Sequence, residues 1–380
     1  MAVQPESDSL PWYLRCMILA ATLANISAHW NIAWHRSIGK STFWAPPHIL
    51  TWLCGMLAAL ACGYLIIVTT FRNDCFPKSA TVRIWGLRGP LGAFIATWGL
   101  AAMLTSVPFD LWWHTAYGLE ENLLSPPHTV LIAGLLALQI GTLALLSGYR
   151  NRAENAGKTS WTGAYLYTGS MVLILSTAAI TEFTLRPYMH SASMYRAVCI
   201  VTPAIVVGLA RATSRHWAAT IAASGYSGFC LLMLWIIPLF PATPSIGPIY
   251  TNISKMVPLE FPLLLILPAI AIDILFWKWK DLNRILLCLI TGPVFFWTFV
   301  FGQWEFADFL QSPQARNWIF GANYFDFGTR PESIYATYQF VSQGSFDPEL
   351  KLGMALALAC TIVSCWVGLA WGDWMKRIRR

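Results

Sequence analysis

Charge is scarce in this sequence: only 11% of its 380 residues are Asp, Glu, Lys or Arg, while 56% are hydrophobic. A soluble domain carries about 25% charged residues, so the composition excludes an ordinary soluble fold. Stretches of about 20 residues with almost no charge recur along the chain, and each could cross a hydrocarbon core of about 30 Å as a helix. They do not alternate polar and apolar residues, as the strands of a membrane barrel do. The sequence therefore predicts an all-α integral membrane protein.

The sequence also lacks a cysteine framework. It has nine cysteines and no CxxC pair, and eight of the nine fall in the apolar stretches, where cysteine serves as a small apolar residue. Nothing in the pattern marks a soluble domain, so we expect a single polytopic membrane domain over residues 1–380. The first residues lack the basic region of a cleavable signal peptide, and we expect the first apolar run to be retained as a helix.

Ten apolar stretches predict about ten transmembrane helices. We expect them at residues 12–35, 48–71, 90–114, 128–148, 162–185, 195–212, 217–240, 258–278, 284–304 and 351–373. Pairing each odd helix with the next gives five hairpins that open toward the outer face. The long connection over residues 305–350 is expected to be extracytoplasmic, and loops of that length usually carry function.

Arginine and lysine are concentrated in alternate connections and at both ends of the chain. Seventeen of the 25 follow this pattern: Arg15, Arg72, Lys78, Arg83, Arg88, Arg150, Arg152, Lys158, Arg211, Arg215, Lys278, Lys280, Arg284, Lys376, Arg377, Arg379 and Arg380. The positive-inside rule then predicts cytoplasmic termini and a multi-pass protein of the inner (plasma) membrane. The net charge of +7 therefore has a positional explanation, and the implied partner is the lipid bilayer rather than a nucleic acid.

Histidine is rare but clustered. The chain has seven histidines, and five of them lie in residues 29–48, "HWNIAWHRSIGKSTFWAPPH", and 110–128, "DLWWHTAYGLEENLLSPPH". The polar spacings are N-x3-H-x12-H and D-x3-H-x13-H, and each stretch ends in Pro-Pro-His. Both stretches connect an odd helix to an even one, so the first two hairpins are predicted to be a parallel repeat.

Each repeat is expected to bring two imidazoles and one oxygen ligand to the mouth of its hairpin. Residues four apart share one face of a helix, which pairs Asp110 with His114 and Asn31 with His35. The double proline fixes the start of the returning helix and places His48 and His128 in its first turn. Two histidines and one carboxylate suit iron, copper or zinc, and three protein ligands leave a coordination position open.

These spacings resemble the metal sites of the C subunit of the copper membrane monooxygenases, the particulate methane and ammonia monooxygenase family. That subunit carries a D-x3-H-x12-H set beside an N-x3-H-x13-H set. The resemblance covers about a tenth of the chain, with the Asn and Asp sets in reversed order and without a cupredoxin-like domain. It implies copper ligands at Asp110, His114, His128, Asn31, His35 and His48.

Five further residues are candidates for a supporting role around the metal or its cavity. They are His29, Glu121, Glu182, His190 and Glu260. Ionisable groups in membrane segments are functional candidates by default. The alternatives are packing for His29, a solvated loop position for Glu121, a buried ion pair for Glu182 and His190, and a cap at the interface for Glu260.

The sequence therefore predicts a membrane metalloprotein, and we expect a copper-dependent, monooxygenase-like oxidoreductase that acts on a small apolar substrate. Partner membrane subunits or a homo-oligomer are compatible with this interpretation. Two alternatives remain open at this point: a protein that binds, delivers or transports copper or zinc without catalysis, and a structural subunit of a larger membrane complex.

Overall fold

The structure is a computed structural model that describes residues 9–39, 42–72, 80–118, 123–155, 161–213, 215–279, 282–341 and 350–379. The described chain is all-α apart from one short β-hairpin. Its helices are α1 (Trp12–Ser37), α2 (Pro46–Phe71), α3 (Leu91–Tyr117), α4 (Pro126–Asn155), α5 (Thr162–Ala179), α6 (Ala192–Ala212), α7 (Ala218–Ile236), α8 (Ile266–Trp279), α9 (Arg284–Gln311) and α10 (Leu350–Arg377). The hairpin joins β1 (Val82–Ile84) to β2 (Leu87–Gly89).

Eight of these helices are long and apolar enough to cross a membrane, which supports the multi-pass helical character expected from the sequence. Ten spans are not confirmed, because α5 and α8 fall outside that set. The stretch expected to be helical from residue 258 is instead extended as far as Leu264, and α8 has only 14 residues, about 21 Å at 1.5 Å per residue. Pro258 and Pro262 explain the difference, since proline lacks an N–H and disfavours helix in the residue before it.

The two repeated connections are built alike at their ends. Each returning helix begins at the first residue of its double proline, Pro46 in α2 and Pro126 in α4. Gly39 and Gly118, which follow α1 and α3, both have a φ of +87°. This left-handed region favours glycine at the end of a helix, which explains why both copies carry glycine at this position.

The chain separates into two compact units. One comprises Met1–Asn25, Ile49–Leu175 and Asp373–Arg380. Within it α3 and α4 approach closely through glycines: a Cβ at Gly99 would lie 2.5 Å from the Gly134 carbonyl oxygen, and one at Gly134 would lie 2.7 Å from the Gly99 carbonyl oxygen. Small residues allow helix backbones to meet in this way, and the close packing holds α3 and α4 in register.

The other unit comprises Ile26–His48 and Ser176–Gly372. Here the end of α1 is fixed by non-helical segments. Ser245 N donates to Ile38 O (2.9 Å), and Val257 N donates to Ser37 Oγ (2.7 Å). A buried apolar cluster of Ala33, Ile237, Ala242 and Met256 packs beside this end, with Trp30 and Trp34 against it.

Candidate metal centre

Asp110, His114 and His128 lie together in the first unit. Asp110 and His114 project from the last turns of α3, and His128 from the first turn of α4. Asp110 Oδ1 lies 3.4 Å from His114 Nε2 and 3.6 Å from His128 Nε2. This oxygen is buried and has no hydrogen-bond partner among the described residues. A buried carboxylate oxygen without a donor is costly, so this atom is suited to a cation.

One hydrogen bond of His114 identifies the nitrogen that its ring offers. His114 Nδ1 lies 3.2 Å from the carbonyl oxygen of Gly118. A carbonyl oxygen can only accept, so Nδ1 carries the proton, and in a neutral ring the Nε2 lone pair faces Asp110. Two lone pairs in contact repel each other unless a proton or a metal ion lies between them. Metal-bound histidines characteristically use one nitrogen for the metal and donate the other N–H to an oxygen.

The arrangement stops short of a complete metal centre. Within the described ranges, no group of three or more His, Cys, Asp and Glu side chains is disposed so that it could hold a metal ion. In the Asp110 set one carboxylate oxygen lies near two imidazole nitrogens, but the three donors do not surround a common point. Binding would require side-chain rotation, for which there is room, because 37%, 28% and 22% of the Asp110, His114 and His128 side chains are exposed.

The first repeat, in the second unit, shares two of these features. Asn31 Oδ1 is buried and accepts no hydrogen bond from any described residue, as at the matching atom of Asp110. His48 Nδ1 lies 2.8 Å from Thr42 O, which again leaves Nε2 as the nitrogen with a lone pair in the neutral ring. His35 is half-buried near the end of α1. An amide oxygen is neutral, so this set would bind a cation more weakly than a set with a carboxylate.

Aromatic rings cluster on the last turns of α3, the turns that also carry Asp110 and His114. Phe109, Trp112, Trp113 and Tyr117 form one contact cluster, with Trp113 and Tyr117 centroids 4.5 Å apart. Trp112 and Tyr117 are 54% and 66% exposed. The end of α3 thus presents exposed aromatic rings close in sequence to Asp110.

The supporting residues expected from the sequence fall into separate places. His29 and Glu260 line one pocket, together with Tyr226 and Cys230, and His29 Nε2 lies 3.9 Å from Cys230 Sγ. Glu182 is half-buried in a short helical turn and is not among the residues that line this pocket. Glu121 lies outside the described residues.

Glu260 is the centre of a buried ion cluster. Its carboxylate lies 2.7 Å from Arg186 Nε and 3.5 Å from Arg36 Nη2, and it accepts a hydrogen bond from the Tyr335 hydroxyl. Burial alone would lower the pKa of Arg186, but Glu260 and Tyr335 raise it above its ordinary value, so the arginine stays charged. Arg36 also donates to Pro258 O (2.6 Å). Because Arg36 follows His35 directly, this cluster fixes the backbone that carries the first histidine set.

The partners Arg36 and Tyr335 were not expected from the sequence. The available signal was charge: Arg36 and Arg186 lie outside the clusters of arginine and lysine in the sequence, and ionisable residues in membrane segments usually pair with one another. Neither the acid nor the tyrosine, which is about 300 residues from Arg36, could be assigned without the fold.

His190 forms a different contact in the same unit. Its ring stacks between Trp304 and Phe340, at centroid distances of 4.1 and 3.7 Å, and its Nε2 lies 3.5 Å from Asp308 Oδ1. Burial lowers the pKa of His190, and the Asp308 carboxylate opposes that shift. This packing explains the histidine without a metal.

Comparison with family models, with curated protein sequences and with solved structures finds no match to this chain.

Proposed function

We propose that this chain is a membrane metalloprotein in which Asp110, His114 and His128 hold a metal ion at the extracytoplasmic membrane edge. The main support for this proposal is the environment of Asp110 Oδ1. This buried oxygen has no hydrogen-bond donor among the described residues, and it lies near Nε2 of both histidines. A bound cation would satisfy this oxygen and separate it from the imidazole lone pair that it faces. Asn31, His35 and His48 would form a second, weaker site.

Copper is the metal that we propose. Two imidazoles and a carboxylate suit copper, zinc and iron alike, and the resemblance of both spacings to the copper membrane monooxygenases favours copper among them. A copper-loading experiment tests the site. Metal-free protein should bind copper with an affinity that falls at least tenfold in Asp110→Asn and His128→Ala, while His216→Ala, which alters an exposed histidine at the start of α7, should bind like wild type. Equal binding by all four proteins would exclude this site.

The accessible donors and the exposed aromatic rings on the same turns of α3 favour a metal-dependent oxidoreductase that acts on small apolar molecules arriving from the lipid. Asp110 would set the charge and potential of the metal, and the exposed faces of Trp112 and Tyr117 would receive the substrate. On this account His114→Ala removes oxygen-dependent turnover of a small hydrocarbon together with the metal. Full turnover in a metal-free His114→Ala protein would contradict it.

Metal delivery is the second candidate, and the exposure of the donors favours it. With 28% and 22% of the His114 and His128 side chains exposed, a bound ion could pass directly to an acceptor. The two functions differ in outcome: a delivery protein would transfer its copper to a competing chelator rapidly and show no turnover, whereas an oxidoreductase would consume oxygen while it retained copper.

A further inference from the structure

The β1–β2 hairpin connects α2 to α3 and carries an exposed tryptophan at its tip. Trp85 and Gly86 form the two-residue turn, with φ values of +51° and +85°, and Trp85 is 88% exposed. Turns of this kind favour Asn, Asp or Gly, and a bulky residue with positive φ is unfavourable. A tryptophan at this position therefore indicates that something outside the chain stabilises it.

The position of the hairpin identifies a membrane interface as that environment. The Trp85 ring makes an edge contact with Trp98 at a centroid distance of 6.4 Å, and Trp98 is the eighth residue of α3. Its Cα is thus about 10 Å along the helix from the first residue, and helical side chains point back toward that end. Because α3 is long and apolar enough to cross a membrane, a ring beside its first turns would meet the interface, where tryptophans are common.

Two arginines face each other on the ladder of the hairpin. Arg83 pairs directly with Arg88 in the β1–β2 register, and like charges in opposed positions destabilise a pair of strands. Residues 80–109 contain no Asp or Glu. The hairpin is anchored to the end of α2, because Thr70 Oγ1 accepts from Arg88 N (2.9 Å) and donates to Arg88 O (3.1 Å). The two cations are therefore held close to the level at which α2 ends.

We propose that this hairpin binds the headgroup of an anionic phospholipid, with Arg83 and Arg88 on its phosphate and Trp85 inserted into the interface. Guanidinium groups match the geometry of phosphate oxygens, and one phosphate would remove the repulsion between the two arginines. The site is independent of the proposed metal centre.

The test compares the full chain in lipid nanodiscs of phosphatidylcholine with and without phosphatidylglycerol. Phosphatidylglycerol should raise the thermal unfolding midpoint of the wild type. The rise should be lost in Arg83→Gln/Arg88→Gln and kept in Arg15→Gln/Arg377→Gln, a control that removes two exposed arginines elsewhere in the same unit. Inorganic phosphate added to phosphatidylcholine discs should give no rise.

A charge reversal separates loss of lipid from loss of the fold. Arg83→Glu places a carboxylate opposite Arg88, which favours the strand pair and removes the need for phosphate. We expect this variant to unfold no earlier than the wild type in phosphatidylcholine and to gain nothing from phosphatidylglycerol. A full lipid-dependent rise in Arg83→Glu and in Arg83→Gln/Arg88→Gln, or an equal rise with inorganic phosphate alone, would overturn the proposal.

Discussion

The ion cluster around Glu260 provides the sharpest stability prediction. Glu260→Gln keeps the size of the side chain but removes the carboxylate that forms ion pairs with both Arg186 and Arg36. The three side chains are 9%, 3% and 15% exposed, so the change leaves two guanidinium groups without their carboxylate in a buried environment. Removing one partner of a buried ion pair costs roughly 3–5 kcal/mol.

The two arginines should contribute unequally to that loss. Arg186 makes the shorter contact, 2.7 Å against 3.5 Å for Arg36, and is the more deeply buried. Both keep backbone acceptors, Pro258 O for Arg36 and Tyr324 O for Arg186, which limits the cost. We therefore expect Glu260→Gln to lower the free energy of unfolding by about 3 kcal/mol, at the lower end of that range.

Unfolding in mixed micelles by titration with a denaturing detergent measures this difference. Asp308→Asn serves as the control, because Asp308 also pairs with a residue of the second unit, yet its side chain is 55% exposed. Exposed pairs contribute up to about 1 kcal/mol. The reasoning is refuted if Glu260→Gln destabilises the protein no more than Asp308→Asn.

Three further predictions follow from the packing and from one titratable group. Gly99→Ala should lower the unfolding midpoint, because the added Cβ would meet the Gly134 backbone; overpacking of this kind costs about 1–3 kcal/mol. Gly63→Ala is the control and should leave the midpoint unchanged, because nothing lies within 4 Å of its Cβ. Gly118→Ala should cost about 1–3 kcal/mol, because its φ of 87° and ψ of −175° are essentially restricted to glycine, and it should weaken copper binding. Unchanged binding would show that this turn does not position His114. The pKa of His190 lies below the ordinary 6.5. As the pH falls through that value, the histidine is protonated in the unfolded chain first, so the free energy of unfolding decreases. His190→Gln should flatten this decrease of stability with falling pH, and an unchanged pH profile would contradict the lowered pKa of His190.

Features determined by local sequence could be predicted. The double prolines set the starts of α2 and α4, and Gly39 and Gly118 end the preceding helices, because proline and glycine restrict or extend the backbone directly at their own positions. The meeting of Asp110 with His114 follows from the four-residue helical spacing. The approach of His128 to Asp110 was also expected, since the double proline sets its place in the first turn of α4.

Features that depend on distant partners could not be predicted. The apolar composition around residues 258–278 suggested a span, but Pro258 and Pro262 disfavour a helix at its start. The non-helical segment there instead carries Glu260 to Arg36 and Arg186. His190 was grouped with the metal site because of its residue type, whereas its ring stacks between Trp304 and Phe340. Hydropathy carries no information about which charged or aromatic side chains meet across the fold.

The most direct test of the metal proposal is the metal content of protein purified from membranes. Wild-type protein should be compared with a His35→Ala/His114→Ala double variant by elemental analysis, with His216→Ala as the matched control. The account predicts copper in the wild type and in His216→Ala, and its loss from the double variant. Equal metal content in all three proteins, or no metal in any of them after loading under oxidising and reducing conditions, would contradict a metal centre at these residues.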